Sequence, residues 1–135
     1  MILIVDDHAD TGRALRSLMR VAGYPSEWVS SGAEALAFIR SHSSGDPLLV
    51  VLDEMMPQMT GMQVLRAVRA DPAIAGTALI IYSASFDVAK RDEALALGAV
   101  AWLLKGGSDF DQTIRSIAHC YERAGGVKTK PRHNL

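Results

Sequence analysis

A chain of 135 residues, 49% apolar and 21% charged, has the size and balance of one soluble globular domain rather than a disordered segment. Its formal charge of -1 supplies no global field for nucleic acid or an anionic membrane, and its single cysteine, Cys120, excludes an internal disulfide and fits a reducing compartment. No apolar run approaches a bilayer span, and Met1 leads directly into Ile2-Leu3-Ile4-Val5 and two acids instead of a signal peptide, so the expected location is cytoplasmic.

Ile2–Val5 is a continuous apolar run, the pattern of a strand covered on both faces of a parallel sheet. Ala14, Leu15, Leu18, Met19 and Ala22 then recur at helical spacing, with Gly23 as a stop. A weaker strand, Glu27–Ser30, follows Pro25 and suits a sheet edge. Ser31-Gly32-Ala33-Glu34 reads as a capping box that opens a second helix through Ile39. Leu48–Leu52 is the third strand. Thr60-Gly61-Met62-Gln63 opens a third helix that runs to the Asp71-Pro72 break. Leu79–Tyr82 is the fourth strand, followed by a helix from about Asp87 to Leu97 that stops at Gly98. Val100–Leu104 is the fifth, and Ser108 caps a last helix with Phe110, Ile114, Ile117 and Tyr121 at helical spacing. Five βα units with right-handed crossovers fold as an α/β protein, an open, doubly wound parallel sheet with helices on both faces. One domain over residues 1–124 is expected, with 125–135 as a basic, mobile tail.

Ligands of such sheets bind at the carboxyl ends of the strands. Strand one ends in Asp6-Asp7, strand three in Asp53, strand four in Ser83 and strand five in Lys105. Three carboxylates held ~4 Å apart repel by roughly 4 kcal/mol per pair at an effective dielectric near 20, so a cation is required. Oxygen-rich sites of this kind suit Mg²⁺. A carboxylate oxygen of Asp53 is then a nucleophile for a phosphoryl group, with Ser83 and Lys105 as donors to its oxygens. Taken singly, each of these residues has an ordinary reading as cap, turn or solvated charge. Their convergence at four strand ends carries the assignment.

The ordered set Ile4-Val5-Asp6-Asp7, Val51-Leu52-Asp53-Glu54-Met55-Met56-Pro57-Gln58-Met59-Thr60-Gly61, Tyr82-Ser83-Ala84 and Gly98 through Trp102-Leu103-Leu104-Lys105 resembles the receiver domains of two-component response regulators, over about residues 1–124. The resemblance implies a flavodoxin-like (βα)5 fold of strand order 2-1-3-4-5. It implies Asp53 as phosphoacceptor, and Asp6, Asp7, Asp53 and the Met55 backbone carbonyl as ligands of Mg²⁺ (or Mn²⁺). By the same resemblance Ser83 would be the hydroxyl that moves toward the phosphoryl group, and Lys105 the cation that pairs with it. Trp102 stands at the aromatic switch position, where the family more often has Tyr or Phe; switching and plain core packing are both open readings of it. The family's proline after the lysine is replaced by Gly106-Gly107, which predicts a mobile or unusually shaped loop. In the family it resembles, the positions two residues after the phosphoacceptor and after the switch hydroxyl border the water that hydrolyses the acyl phosphate; here Met55 and Ser85 offer no carboxylate or amide to orient it, so a long-lived phosphoryl group is expected.

The resemblance implies a phosphorylation-controlled switch rather than a conventional enzyme, although one that assists its own phosphorylation and dephosphorylation. Its partners are then a sensor histidine kinase or histidine phosphotransfer protein and a downstream protein docking on the surface of the last strand and its flanking helices, with a phosphorylation-dependent dimer allowed. Direct nucleic-acid or membrane binding is not expected. About ten residues follow the last helix, too few for a helix-turn-helix, and the Met1 start reads as a stand-alone receiver. A phosphorylation-independent interaction module, or a receiver fragment of a larger hybrid kinase or regulator, are the alternatives. An aspartyl-nucleophile hydrolase would carry an Asp where Met55 stands, and no Gly-rich turn follows strand one to hold a dinucleotide or flavin. Met55, Met56, Met59 and Met62 read as loop and core packing, His8 as an exposed loop residue, and Lys90 and Arg91 as a solvated face.

Overall fold

The computed structural model describes residues 1–42, 45–106 and 110–129. Strands β1 (Ile2–Val5), β2 (Ser26–Val29), β3 (Leu49–Asp53), β4 (Ala78–Ser83) and β5 (Ala101–Leu104) alternate with helices α1 (Ala9–Val21), α2 (Gly32–Ser41), α3 (Gly61–Ala70), α4 (Val88–Ala96) and α5 (Phe110–Arg123). All pairings are parallel and the sheet order is β2-β1-β3-β4-β5. The expected flavodoxin-like doubly wound fold is the one observed.

Alternation along each strand divides the core into two halves. Ile2, Ile4, Leu49, Val51, Ile80 and Tyr82 pack with Leu15 and Met19 of α1 and Ile117 and Tyr121 of α5. Leu3, Val5, Val50, Leu52, Leu79 and Ile81 pack on the opposite face with Leu36 and Ile39 of α2, Leu65 and Val68 of α3 and Ala94 of α4. Helices on both faces explain why β1 and β3 read as unbroken apolar runs: every residue of both strands is buried. Edge strands β2 and β5 are half-covered and correspondingly mixed in sequence.

Several boundaries differ from the sequence reading. β2 begins at Ser26, one residue early, because Ser26 pairs with Ile2 while its hydroxyl donates to the Tyr24 carbonyl. α1 begins at Ala9, ahead of its apolar stripe, and Ala14 and Leu18 of that stripe are exposed. The buried stripe is narrower, Gly12, Leu15 and Met19. Ser108 as a cap, Gly107, and the segment from Lys130 onward lie outside the described residues.

The first residues after α5 lie back on the fold. Gly126 N–H donates to the Tyr121 carbonyl, and the Thr129 amide and hydroxyl both donate to the Gly23 carbonyl, at 2.6 and 2.8 Å. Tyr24 meets Tyr121 edge to face and donates to Glu122 at 2.5 Å, which fastens the turn between α1 and β2 to α5.

Candidate functional site

Register determines which side chains meet. Val5 pairs with Leu52, so Asp6 and Asp53 leave the sheet side by side at the point where strand order reverses between β1 and β3. Asp53 pairs with Tyr82, and Ser83 with Leu104, which brings Lys105 just beyond the end of β5. Two-residue alternation then sorts them: Asp53 and Lys105 continue the rows that face α1 and α5, whereas Ser83 and Trp102 continue the rows that face α3 and α4.

Lys105 Nζ stands 2.7 Å from Asp6 Oδ2 and 3.4 Å from Asp53 Oδ2. Asp6 Oδ1 accepts the His8 backbone N–H at 2.9 Å, and Asp53 Oδ1 accepts that of Met55 at 3.3 Å. Both carboxylates are buried. Burial is the main reason the Asp53 pKa is raised from 3.8 to about 6; Lys105 opposes the shift and the Asp6 charge adds to it. For Lys105, burial alone would lower the pKa, but the hydrogen bond to Asp6 and the charges of Asp53 and Asp6 outweigh it, and the pKa ends above the ordinary lysine value. The Lys105 ammonium therefore does not fully offset the burial of Asp53.

The donor set fits a divalent cation. One carboxylate oxygen each from Asp6, Asp7 and Asp53 and a ring nitrogen of His8 lie within 4.8 Å of one another. Asp7 Oδ1 is buried and takes no hydrogen bond, an orphaned acceptor facing this cluster. Met55, whose carbonyl was expected to join the ligands, lies at the site through its N–H bond to Asp53, with its side chain exposed.

The loop that carries Met55 is clamped by a residue the sequence reading passed over. Glu54 is buried; its backbone carbonyl accepts the Gly61 N–H and its carboxylate accepts the Met62 N–H at 2.9 Å. Thr60 and Gln63 complete a capping box, so the first amides of α3 are all satisfied. Gly61 is required here, since a Cβ would meet the Asp53 carbonyl oxygen at 2.7 Å. Burial pushes the Glu54 carboxyl above its ordinary range, with the Met62 amide and Lys90 opposing. Lys90 Nζ lies 4.0 Å from Glu54 Oε1, and Arg91 stacks over Phe86 at 5.2 Å. The pair expected to be a solvated face is thus partly engaged.

Trp28 was also missed. Its Nε1 donates to the Asp6 backbone carbonyl at 2.9 Å across the turn from β1 to α1. Gly12 makes room for the indole, because a Cβ there would lie 2.1 Å from Nε1. His8 had been read as an exposed loop residue; it is exposed, but its Nδ1 stands 3.5 and 3.4 Å from Asp6 and Asp7.

Ser83 is fully buried, and its hydroxyl accepts the Ser85 amide at 3.2 Å. Trp102 packs half-buried against the core of the α3 and α4 face, with its Nε1 buried and unbonded. Gly106 has φ +78°, a conformation closed to proline and strained for other L residues. A proline could not adopt this Gly106 conformation. Among the methionines, Met56 and Met62 are core residues, as expected.

Comparison with known proteins agrees with this fold. The profile of the response regulator receiver domain matches residues 2–117. A protein named probable transcriptional regulator ycf27, from Porphyridium aerugineum, is 32% identical over 137 aligned positions, covering 99% of this chain and 54% of that protein. The DNA-binding response regulator MtrA of Mycobacterium leprae is 33% identical over 104, covering 77% of this chain and 44% of its own length. The chain thus spans about half the length of the curated relatives it matches. Among solved structures, Vibrio cholerae chemotaxis protein CheY4 superimposes with a TM-score of 0.77 at 26% identity, covering 88% of this chain and 96% of that one. The receiver domain of Francisella response regulator 1452 gives 0.77 at 25% identity, covering 90% and 96%.

Proposed function

The chain belongs to the response regulator receiver domain family of two-component signalling, and on that premise we propose that it accepts a phosphoryl group on Asp53 and changes its partner-binding surface in response. The observation that carries the proposal is the ion-paired group Asp6–Lys105–Asp53, beside the orphaned Asp7 oxygen at the strand ends.

A carboxylate oxygen of Asp53 attacks the phosphorus of a phosphohistidine on a kinase or phosphotransfer protein. The oxygen–phosphorus bond forms as the nitrogen–phosphorus bond breaks, and the departing imidazole keeps the electron pair and takes a proton from solvent. Asp6, Asp7, Asp53 and the Met55 carbonyl would hold Mg²⁺, or Mn²⁺ in its place. A cation held there would supply charge that neutralises phosphoryl oxygens and keeps Asp53 ionised despite its raised pKa. Lys105 supplies a charged donor to the phosphoryl group and gives up part of its contact with Asp53. Glu54 and Gly61 keep the Met55 loop fixed while charge moves, and Trp28 does the same for the turn at Asp6.

Transmission is proposed to run through Ser83. Its hydroxyl sits on the same face of the sheet as Trp102, so a shift of Ser83 toward the new phosphoryl oxygens changes the space beside the indole and the α4–β5–α5 surface. The DNA-binding relative favours a second reading of the output, in which the same receiver works joined to a DNA-binding half. In the first reading phosphorylation alters docking of a separate protein; in the second it alters operator binding by the longer protein.

The test is acid-labile labelling by a small phosphodonor with Mg²⁺, run on the wild type and on Asp53→Asn. Loss of labelling in the variant is expected. Labelling at unchanged stoichiometry would overturn the assignment of Asp53.

A further inference from the structure

The helix start at His8 is anomalous. An N-cap side chain ordinarily accepts an amide of the first turn, and Ser, Thr, Asp or Asn serves best. His8 holds the N-cap position of α1 with extended backbone, yet its side chain makes no cap bond. Its ring turns instead to the acids, with Nδ1 3.5 Å from Asp6 Oδ1 and 3.4 Å from Asp7 Oδ1. Asp7 Oδ1 takes no hydrogen bond, and the His8 ring is in ion-pair range of it. Two atoms bound to one cation at ~2.1 Å lie about 3.0 Å apart at an octahedral angle and about 3.4 Å apart at a tetrahedral one. The His8–Asp7 separation has the spacing of two ligands, and the backbone N–H of His8, bound to Asp6 Oδ1, fixes the residue in that place.

We propose that His8 Nδ1 is a nitrogen ligand of the cation held by Asp6, Asp7 and Asp53, and that the site therefore prefers nitrogen-binding first-row ions such as Co²⁺ or Ni²⁺ over Mg²⁺. This rests on the metal reading given under Proposed function. Oxygen donors alone favour Mg²⁺ and its relatives, whereas one imidazole moves selectivity along the Irving–Williams order. His8 is also 70% exposed, so its ring is open to an entering ion.

The probes are metals alone, added to the full chain and to His8→Ala, with circular dichroism to verify the fold of the variant. Calorimetric titration should show Co²⁺ binding weakened about tenfold or more in His8→Ala, within the range known for ligand-shell changes, and Mg²⁺ binding altered less than about threefold. Pulsed electron paramagnetic resonance of bound Mn²⁺ should show a directly coordinated histidine nitrogen. That signal should change with ¹⁵N-histidine labelling and vanish in His8→Ala. Mn²⁺ bound without a histidine nitrogen signal, or Co²⁺ and Mg²⁺ weakened in equal proportion, would overturn the role of His8 and leave the carboxylate site standing. Failure of the wild type to bind any of these ions would overturn the metal reading itself, and this proposal with it.

Discussion

In chelator-treated protein, Asp53→Asn should raise stability at neutral pH even though it removes the proposed phosphoacceptor. Burial raises the folded-state pKa of Asp53 to about 6, against 3.8 for the ordinary side chain. A raised carboxylate pKa means that the folded state binds more protons than the unfolded state between those values. Stability therefore falls as pH climbs through that window and is lowest above it. Two units correspond to about 3 kcal/mol at pH 7.5, and to roughly half that at pH 5, where protonation already relieves part of the cost. Asparagine keeps the shape and carries no charge, and Lys105 retains its 2.7 Å contact with Asp6. The assay is urea or thermal unfolding of both proteins in chelator at pH 5 and 7.5. A gap of about 3 kcal/mol is roughly 10 °C in Tm for a domain of this size. Saturating Mg²⁺ should narrow the gap by stabilising the wild type preferentially. A variant no more stable than the wild type at pH 7.5 without metal would refute the reasoning.

Gly61→Ala should destabilise by about 2 kcal/mol and slow phosphoryl acceptance, because its Cβ would press on the Asp53 carbonyl at 2.7 Å; unfolding and labelling rates check both effects. Glu54→Leu leaves the buried Met62 amide unpaired and should cost about 1–3 kcal/mol, whereas Glu54→Gln keeps an acceptor there and should cost less at pH 7.5. Gly106→Ala should cost about 1–2 kcal/mol in unfolding experiments, since φ is +78° there. With Met55 and Ser85 beside the site, phosphate should leave Asp53 slowly after a donor pulse; a time course of acid-labile label shows whether it persists.

The fold was legible in the sequence because its signals are local. Unbroken apolar runs at Ile2–Val5 and Leu49–Leu52 can be satisfied only when helices cover both faces, and capping residues at Ser31 and Thr60 mark where helices begin. The four strand-end residues Asp6, Asp53, Ser83 and Lys105 were legible for the same reason: each directly follows or ends an apolar run, and a parallel sheet gathers those positions at one edge. α1 was read less well, because helical spacing does not say how wide a stripe is covered. α1 shares its side of the sheet with α5, and Ala14 and Leu18 fall outside that contact.

The supports of the site were decided by tertiary packing. Nothing in the chain around Trp28 indicates that its indole will donate to the Asp6 carbonyl, since that contact spans 22 residues and depends on β2 pairing with β1 and on the space left by Gly12. Glu54 reads as one more acid after Asp53 until α3 folds back and offers it two amides. His8 is an ordinary exposed histidine in sequence, and its ring meets the carboxylates only because the turn after β1 and the start of α1 hold it there. Sequence alone determined which chemical groups reach the edge of the sheet, because strand ends are set by local apolar patterning. The structure decided how those groups are paired, oriented and charged, because register and close helix packing set the distances between segments far apart in the chain.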